Sequence, residues 1–198
     1  MAIKVLGVSG SMREGSHSAR AINIVLEAAR ERGAETRLLD LRVADLPLYR
    51  PRGKAIETEG VRLANEAVEW ADALVLASPD YHGSVSGAMK NFLDYYWEEF
   101  AGKAFGYLCA SHEKGLTVMD QMRTAVRQCY GWSLPYGVSF NGDHDFDEAG
   151  NVTNAQVARR LRMIARDLVV YGALIRDQFL RDLRSDEADT FAKRYRKK

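Results

Sequence analysis

A run of small residues, Gly7-Val-Ser-Gly-Ser-Met-Arg-Glu-Gly-Ser-His-Ser18, separates two patterned segments near the start of the chain. Before it, Ile3-Lys-Val-Leu-Gly-Val8 is apolar and short, as a buried strand is. After it, Ile22, Val25, Leu26 and Ala29 recur at helical spacing. A loop of this kind between a first strand and a first helix commits the chain to an α/β plan. Its glycines let backbone come close to a ligand, and the helix start offers unpaired N–H groups with partial positive charge. Ser9, Ser11, Ser16 and Ser18 add hydroxyls, and Arg13 adds a planar guanidinium suited to phosphate oxygens. The loop therefore reads as a phosphomonoester site. The same residues also suit a simple Ser/Gly turn that caps the helix through Ser16 or Ser18.

Two familiar phosphate loops are excluded. A nucleoside-triphosphate loop needs Lys at position 16, where this chain has Ser16. The dinucleotide fingerprint needs a different glycine spacing from Gly7, Gly10 and Gly15.

Downstream, strand and helix patterns alternate. Thr36–Leu41 reads as a second strand, and Asp45–Gly53, with its prolines and glycine, as irregular. Val61, Ala64, Val68 and Ala71 mark a second helix. Ala73-Leu-Val-Leu-Ala77 is continuously apolar, as a strand covered on both faces is. Met89, Phe92, Leu93, Tyr96 and Trp97 mark a third helix, a stripe suited to the core or a subunit interface. Phe105–Ala110 and Tyr136–Phe140 supply the fourth and fifth strands, with a helix over Leu116–Tyr130 between them. Val157, Leu161, Ile164, Leu168 and Tyr171 define the last long helix, and a further helical segment follows from Asp177. This alternation predicts a flavodoxin-like three-layer α/β sandwich, a five-stranded parallel sheet in the order 2-1-3-4-5, formed by residues 1–198 as one domain.

Composition narrows the partners. With 28 basic and 27 acidic residues the net charge is +1, which gives no electrostatic case for nucleic acid. The basic stretch Lys193–Lys198 reads as a frayed, solvated tail. Cys109 and Cys129 are too far apart in sequence for a redox pair, and the histidines show no metal-ligand spacing, so no metal is expected. No run suggests a signal peptide or a membrane span, and a cytoplasmic protein is expected.

In such a sheet, ligands bind beyond the carboxyl ends of the strands. The loop after the third strand, starting at Ser78, bends at Pro79, offers Tyr81 as an aromatic surface, and gains close approach from Gly83 and Gly87. Ser111-His-Glu-Lys-Gly115 would close the other side. Gly10-Ser-Met-Arg-Glu-Gly-Ser16, together with Ser78-Pro-Asp-Tyr-His-Gly-Ser84 and Gly87-Ala-Met-Lys-Asn-Phe-Leu-Asp94, resembles the NADPH-dependent FMN reductase family. That family includes flavin, quinone, chromate and azo-dye reductases, and the resemblance spans residues 3–171.

The resemblance implies that Ser11, Arg13, Ser16 and Ser18 hold the FMN phosphate. It implies that Pro79, Asp80, Tyr81, His82 and Gly83 line the isoalloxazine, with Ser111 and Gly115 nearby. It further implies FMN and NADPH as cofactors, a small-molecule electron acceptor, and a homodimer or homotetramer. The chain departs from the family at His82, where Asn is common, and at His112-Glu-Lys114, where relatives are richer in glycine. Two other readings stay open: a flavodoxin-type electron carrier without NADPH activity, and a relative that has kept the fold and lost flavin.

Overall fold

A computed structural model describes residues 1–51 and 57–195. Its centre is a parallel sheet of β1 (Lys4–Ser9), β2 (Glu35–Asp40), β3 (Ala73–Pro79), β4 (Ala104–Ala110), β5 (Trp132–Ser133) and β6 (Val138–Phe140). The order is β2-β1-β3-β4-β5, with β6 also paired to β4, all in parallel register. The expected order 2-1-3-4-5 is thus found, with one correction. The fifth position is divided between two short strands, Trp132–Ser133 and Val138–Phe140, instead of one strand at Tyr136–Phe140. Pro135 has no N–H to give the ladder, so pairing to β4 lapses between them.

The sheet is covered on both faces. On one lie α1 (His17–Arg30) and α7 (Ala155–Arg184). On the other lie α3 (Glu59–Trp70), α4 (Gly87–Asp94) and α5 (Leu116–Gln128). Between them in sequence come the short helices α2 (Leu41–Ala44) and α6 (Gly142–Asp145), with α8 (Phe191–Tyr195) last. Alternation along β4 explains the layering. Phe105, Tyr107 and Cys109 point into the α3–α5 layer, while Ala104 and Leu108 face α1 and α7. Gly106 lies on that second face, where a Cβ would sit 3.0 Å from Ile164. Small residues on one side let the helices come close; aromatic residues on the other fill the gap to α4.

Several boundaries differ from the sequence expectation. Strand β2 ends at Asp40, whose side chain caps the single turn α2 by accepting from the Arg42 N–H at 3.0 Å. The third helix stops at Asp94, short of Tyr96 and Trp97, and Trp97 is 61% exposed. The last helix is continuous to Arg184, with no break before Asp177, and Tyr171 lies on its exposed side. Of the irregular segment 45–53, residues 52 and 53 lie outside the described residues, as do 196–198 of the basic tail. Lys193–Tyr195 belong to α8, not to a frayed end; the Tyr195 ring stacks on Tyr130 at 4.0 Å.

Asn91, on α4, is bonded to the segment before it. Its amide donates to the carbonyls of Leu46 and Pro47 and accepts from the Tyr49 N–H at 2.8 Å, fastening that segment to α4. Lys90 beside it is exposed and pairs with Asp94. No helix among the described residues is long and apolar enough to cross a membrane.

Candidate functional site

The loops after β1, β3, β4 and β6 meet at the carboxyl ends of the strands and enclose a cleft of about 190 Å³. Ser11, Arg13, Ser16 and Ser18 line it from the first loop and the start of α1. Pro79, Asp80 and Tyr81 line it from the second, and Ser111 from the third. These expected residues, far apart in sequence, come together in one place. His82, Gly83 and Gly115 do not line the cleft.

The first loop is held from below. The Gly10 N–H donates to the Ala77 carbonyl at 2.8 Å, and the Ser86 hydroxyl donates to the Gly10 carbonyl at 2.6 Å. A Cβ on Gly10 would lie 2.8 Å from that of Met89, so only glycine lets the loop sit this close to α4. Ser16 is the N-cap of α1: its hydroxyl oxygen accepts from the Ala19 N–H at 3.2 Å. The capping role and the ligand-facing role therefore coincide, since the hydroxyl proton of Ser16 is still available to donate.

What the loop offers to the cleft is almost entirely donors. Among the described residues, the N–H groups of Ser11, Met12, Gly15 and Ser16 have no acceptor in the chain, nor do those of His17 and Ser18 in the first helical turn. The Ser18 hydroxyl is buried and unpartnered. The Arg13 guanidinium is exposed and makes no ion pair among the described residues. A buried hydroxyl without a partner costs stability unless a ligand or water satisfies it. Unpaired N–H groups around it, with a guanidinium alongside, suit a phosphate dianion.

His17, beside them, has its pKa lowered by burial and then by Arg20, with Asp143 opposing. Its ring lies against the Gly142 backbone and 5.2 Å from the Phe146 ring. Burial and the Arg20 charge both favour the neutral imidazole.

The second loop is a two-residue hairpin. Tyr81 and Ser84 exchange backbone hydrogen bonds of 3.1 Å, and His82 and Gly83 between them have φ of 58° and 76°. That is the primed turn in which both central residues are left-handed. The Gly83 N–H donates to Asp80 Oδ1 at 2.8 Å. With the N–H groups of Tyr81, Gly83 and Ser84 engaged inside the loop, that of His82 alone is left for a ligand. The Tyr81 side chain is 52% exposed at the rim. Gly115, by contrast, turns toward β4: at φ 59°, a Cβ there would lie 2.6 Å from Cys109 Sγ. Burial and the nearby Asp80 carboxylate push that thiol up to about 12, so Cys109 is inert packing.

Sequence reasoning missed the fourth wall. Asn141, Gly142 and Asp143 complete the cleft from the loop after β6, with His17 and His112. Asn141 and His112 lie within 3.3 Å of each other across it. The rule that gave the other loops would have given this one, had it been applied to the fifth strand position.

A larger cavity, about 960 Å³, opens at the amino ends of the strands, around Asp72, Lys103 and Arg176. Within it, Lys103 donates to the Ala71 carbonyl, and Arg176 pairs with Asp72 at 3.2 Å. Size alone does not make it the site, because ligands of open parallel sheets bind at the other end.

Residues 3–145 match the family described as NADPH-dependent FMN reductase. An NADPH azoreductase of Bacillus sp. (strain OY1-2) is 33% identical over 113 residues, which is 56% of this chain and 64% of that protein. An NAD(P)H-dependent FMN reductase of Pseudomonas aeruginosa is 34% identical over 55% of this chain and 60% of its own length. The matched region thus spans less than two thirds of both relatives. An NAD(P)H-dependent FAD/FMN reductase of Geobacillus thermodenitrificans is 25% identical over 84% of this chain and 92% of that protein. Among solved structures, the apo form of an NADH:FMN oxidoreductase (EMOB) superposes with a TM-score of 0.73 at 21% identity, over 86% of this chain and 90% of that one. With the family match covering most of the sheet and the loops around the cleft, this chain belongs to the NADPH-dependent FMN reductase family.

Proposed function

We propose that the protein is an FMN-dependent NAD(P)H oxidoreductase that reduces a small acceptor such as a flavin, quinone, azo or nitro compound, or metal oxyanion. The observation that carries this reading is the donor-rich first loop of the cleft, with its unpartnered Ser18 hydroxyl and, among the described residues, an Arg13 without an ion pair, beside an exposed aromatic hairpin. The residues fit the cofactor. Arg13, the hydroxyls of Ser11, Ser16 and Ser18, and the loop N–H groups would hold the phosphate. Tyr81 and the His82 N–H would meet the flavin, with Pro79 and Ser111 at its edge. A cleft of about 190 Å³ is smaller than the roughly 300–1,000 Å³ of sites that enclose a drug-sized ligand, so it would take the phosphate end and leave the ring region open.

Bound FMN supplies the acceptance of a hydride from NAD(P)H and its delivery to the acceptor. The chain's own contribution is anchoring, orientation and electrostatics. The His82 N–H is a preorganised donor toward negative charge, in the manner of an oxyanion hole. No side chain is assigned as a general acid or base. We further propose a cytoplasmic homo-oligomer, with contacts through α4 and α5; Trp97, just beyond α4, and Leu116, at the start of α5, are each 61% exposed.

The decisive experiment is an anaerobic titration of desalted, FMN-loaded protein with NADPH, followed by visible absorbance. Bleaching of a bound-flavin band is expected. Flavin that binds and stays oxidised would favour an electron carrier, and protein that takes up no flavin would overturn the reading. Light scattering at micromolar concentration tests assembly, and a monomer would refute it.

A further inference from the structure

Asp80 stands where the family resemblance would have it line the flavin ring, yet both of its carboxylate oxygens are occupied within the chain. Oδ1 accepts from the Gly83 N–H at 2.8 Å, and Oδ2 accepts from the Ser111 hydroxyl at 2.8 Å. The Asp80 N–H donates to the Ala110 carbonyl at 2.8 Å. Ser111 continues the chain of contacts. Its oxygen accepts from the Glu113 N–H at 3.0 Å, and its own N–H donates to the Phe140 carbonyl at 2.9 Å. One carboxylate therefore joins the hairpin after β3 to the loop after β4, and through Ser111 to the end of β6.

The hairpin needs such a tie. His82 carries a side chain at φ 58°, in the left-handed region that L-residues rarely adopt. Gly83 follows at φ 76°, and among the described residues no other group receives its N–H. With the Tyr81–Ser84 pair closing the turn, the bond to Asp80 fixes the Gly83 peptide within it. In doing so it sets the direction of the one hairpin N–H left over, that of His82, and the seat of the exposed Tyr81 ring. Far from reaching outward, Asp80 acts on the ligand-facing groups from behind.

We propose that Asp80 is a positioning residue: its carboxylate is a strut between two loops that holds the His82 N–H and Tyr81 in place for the flavin. This rests on the FMN reading above. Because the carboxylate lies at the cleft wall, it also places a fixed negative charge beside the bound cofactor, which opposes the charge gained on reduction.

The test compares Asp80→Ala with Asp80→Asn, first in flavin-free protein by amide hydrogen exchange. Asp80→Ala is expected to speed exchange at Gly83 by about tenfold or more, the loss of a charge-assisted bond, while the Val25 amide in α1 stays protected. Asn keeps an oxygen for the Gly83 N–H and offers an N–H to Ser111. Asp80→Asn is therefore expected to restore Gly83 protection and FMN affinity, measured by flavin fluorescence quenching, to within about threefold of the parent. It is also expected to shift the flavin midpoint potential to a more positive value, a signature that a purely structural role would not give. Unchanged Gly83 exchange in Asp80→Ala would overturn the strut. So would an Asp80→Asn variant as loose as the alanine one, or a loosened hairpin with full FMN affinity. Parent protein that binds no FMN would sink the FMN reading instead, and exchange at Gly83 would still decide whether the strut exists.

Discussion

Replacing Arg13 with alanine removes one charge from the cleft and nothing else from the fold. The guanidinium is exposed and makes no ion pair among the described residues, so its loss leaves no group of the chain unpaired. The nearby contacts of the loop, the Ser16 cap and the Gly10 bond to Ala77, do not involve the side chain. The whole effect should therefore fall on the ligand. A hydrogen bond to a charged group contributes about 1.5–3 kcal/mol net, and exposure pulls this toward the lower end. An affinity loss of about 1–3 kcal/mol, or roughly 5- to 150-fold in Kd for FMN, is expected.

Riboflavin is the control, because it has the ring and side chain without the phosphate. The assay is fluorescence quenching of each flavin by parent and variant at two ionic strengths. Arg13→Ala should weaken FMN and leave riboflavin unchanged. It should also flatten the salt dependence, since screening at about 8 Å under physiological ionic strength acts on exposed charges. Equal losses for FMN and riboflavin would refute the argument, because the arginine would then be acting on the ring or the fold. An unchanged FMN affinity would refute it too.

Three further outcomes follow from particular contacts. Ser86→Ala removes the donor to the Gly10 carbonyl and the acceptor for the Met89 N–H, both buried; a loss of about 1–3 kcal/mol is expected in urea unfolding, with weaker FMN binding as the loop loosens. Phe105→Ala empties a fully buried site packed against Phe100 at 4.9 Å; a cost of about 3–5 kcal/mol should appear as a lower urea midpoint with an unchanged slope. Lys103 has its pKa lowered from 10.5 to about 8, chiefly by burial, with Asp72 opposing. The unfolded chain binds the extra proton between these values, so stability should rise from about pH 8 toward 10.5, and Lys103→Met should flatten that rise in unfolding curves. A stability that falls across this window in the parent, with no difference in the variant, would contradict the assignment.

The elements that were legible in the sequence were those whose pattern is local. Ala73–Ala77 is apolar throughout because both faces of β3 are covered, and all seven residues of the strand are buried. The helical stripe of α1 read correctly, and that of α4 as far as Leu93, because the sheet-facing residues recur at the helix period. Where the sequence misled, a residue had a reason that lay across space. Gly172 is buried against the sheet, and a Cβ there would lie 3.2 Å from that of Ala73. A mid-helix glycine costs about 1 kcal/mol relative to alanine, but here it lets a 30-residue helix run close to the sheet without a break. Trp132–Ser133 escaped notice because two residues carry no period at all.

The sequence by itself determined the strand–helix alternation and three of the loops that meet at the cleft, because hydrophobic period and glycine placement act within a few residues. The sheet order followed from the packing rules for such alternation. Only the tertiary structure decided what those loops present. Asp80 turned inward to Gly83 and Ser111, His82 was left with the hairpin's one available N–H, and Asn141–Asp143 closed the fourth side. A carboxylate's role depends on which donors surround it. Here one donor is three residues away and the other thirty-one, and packing alone brought them to the same side chain.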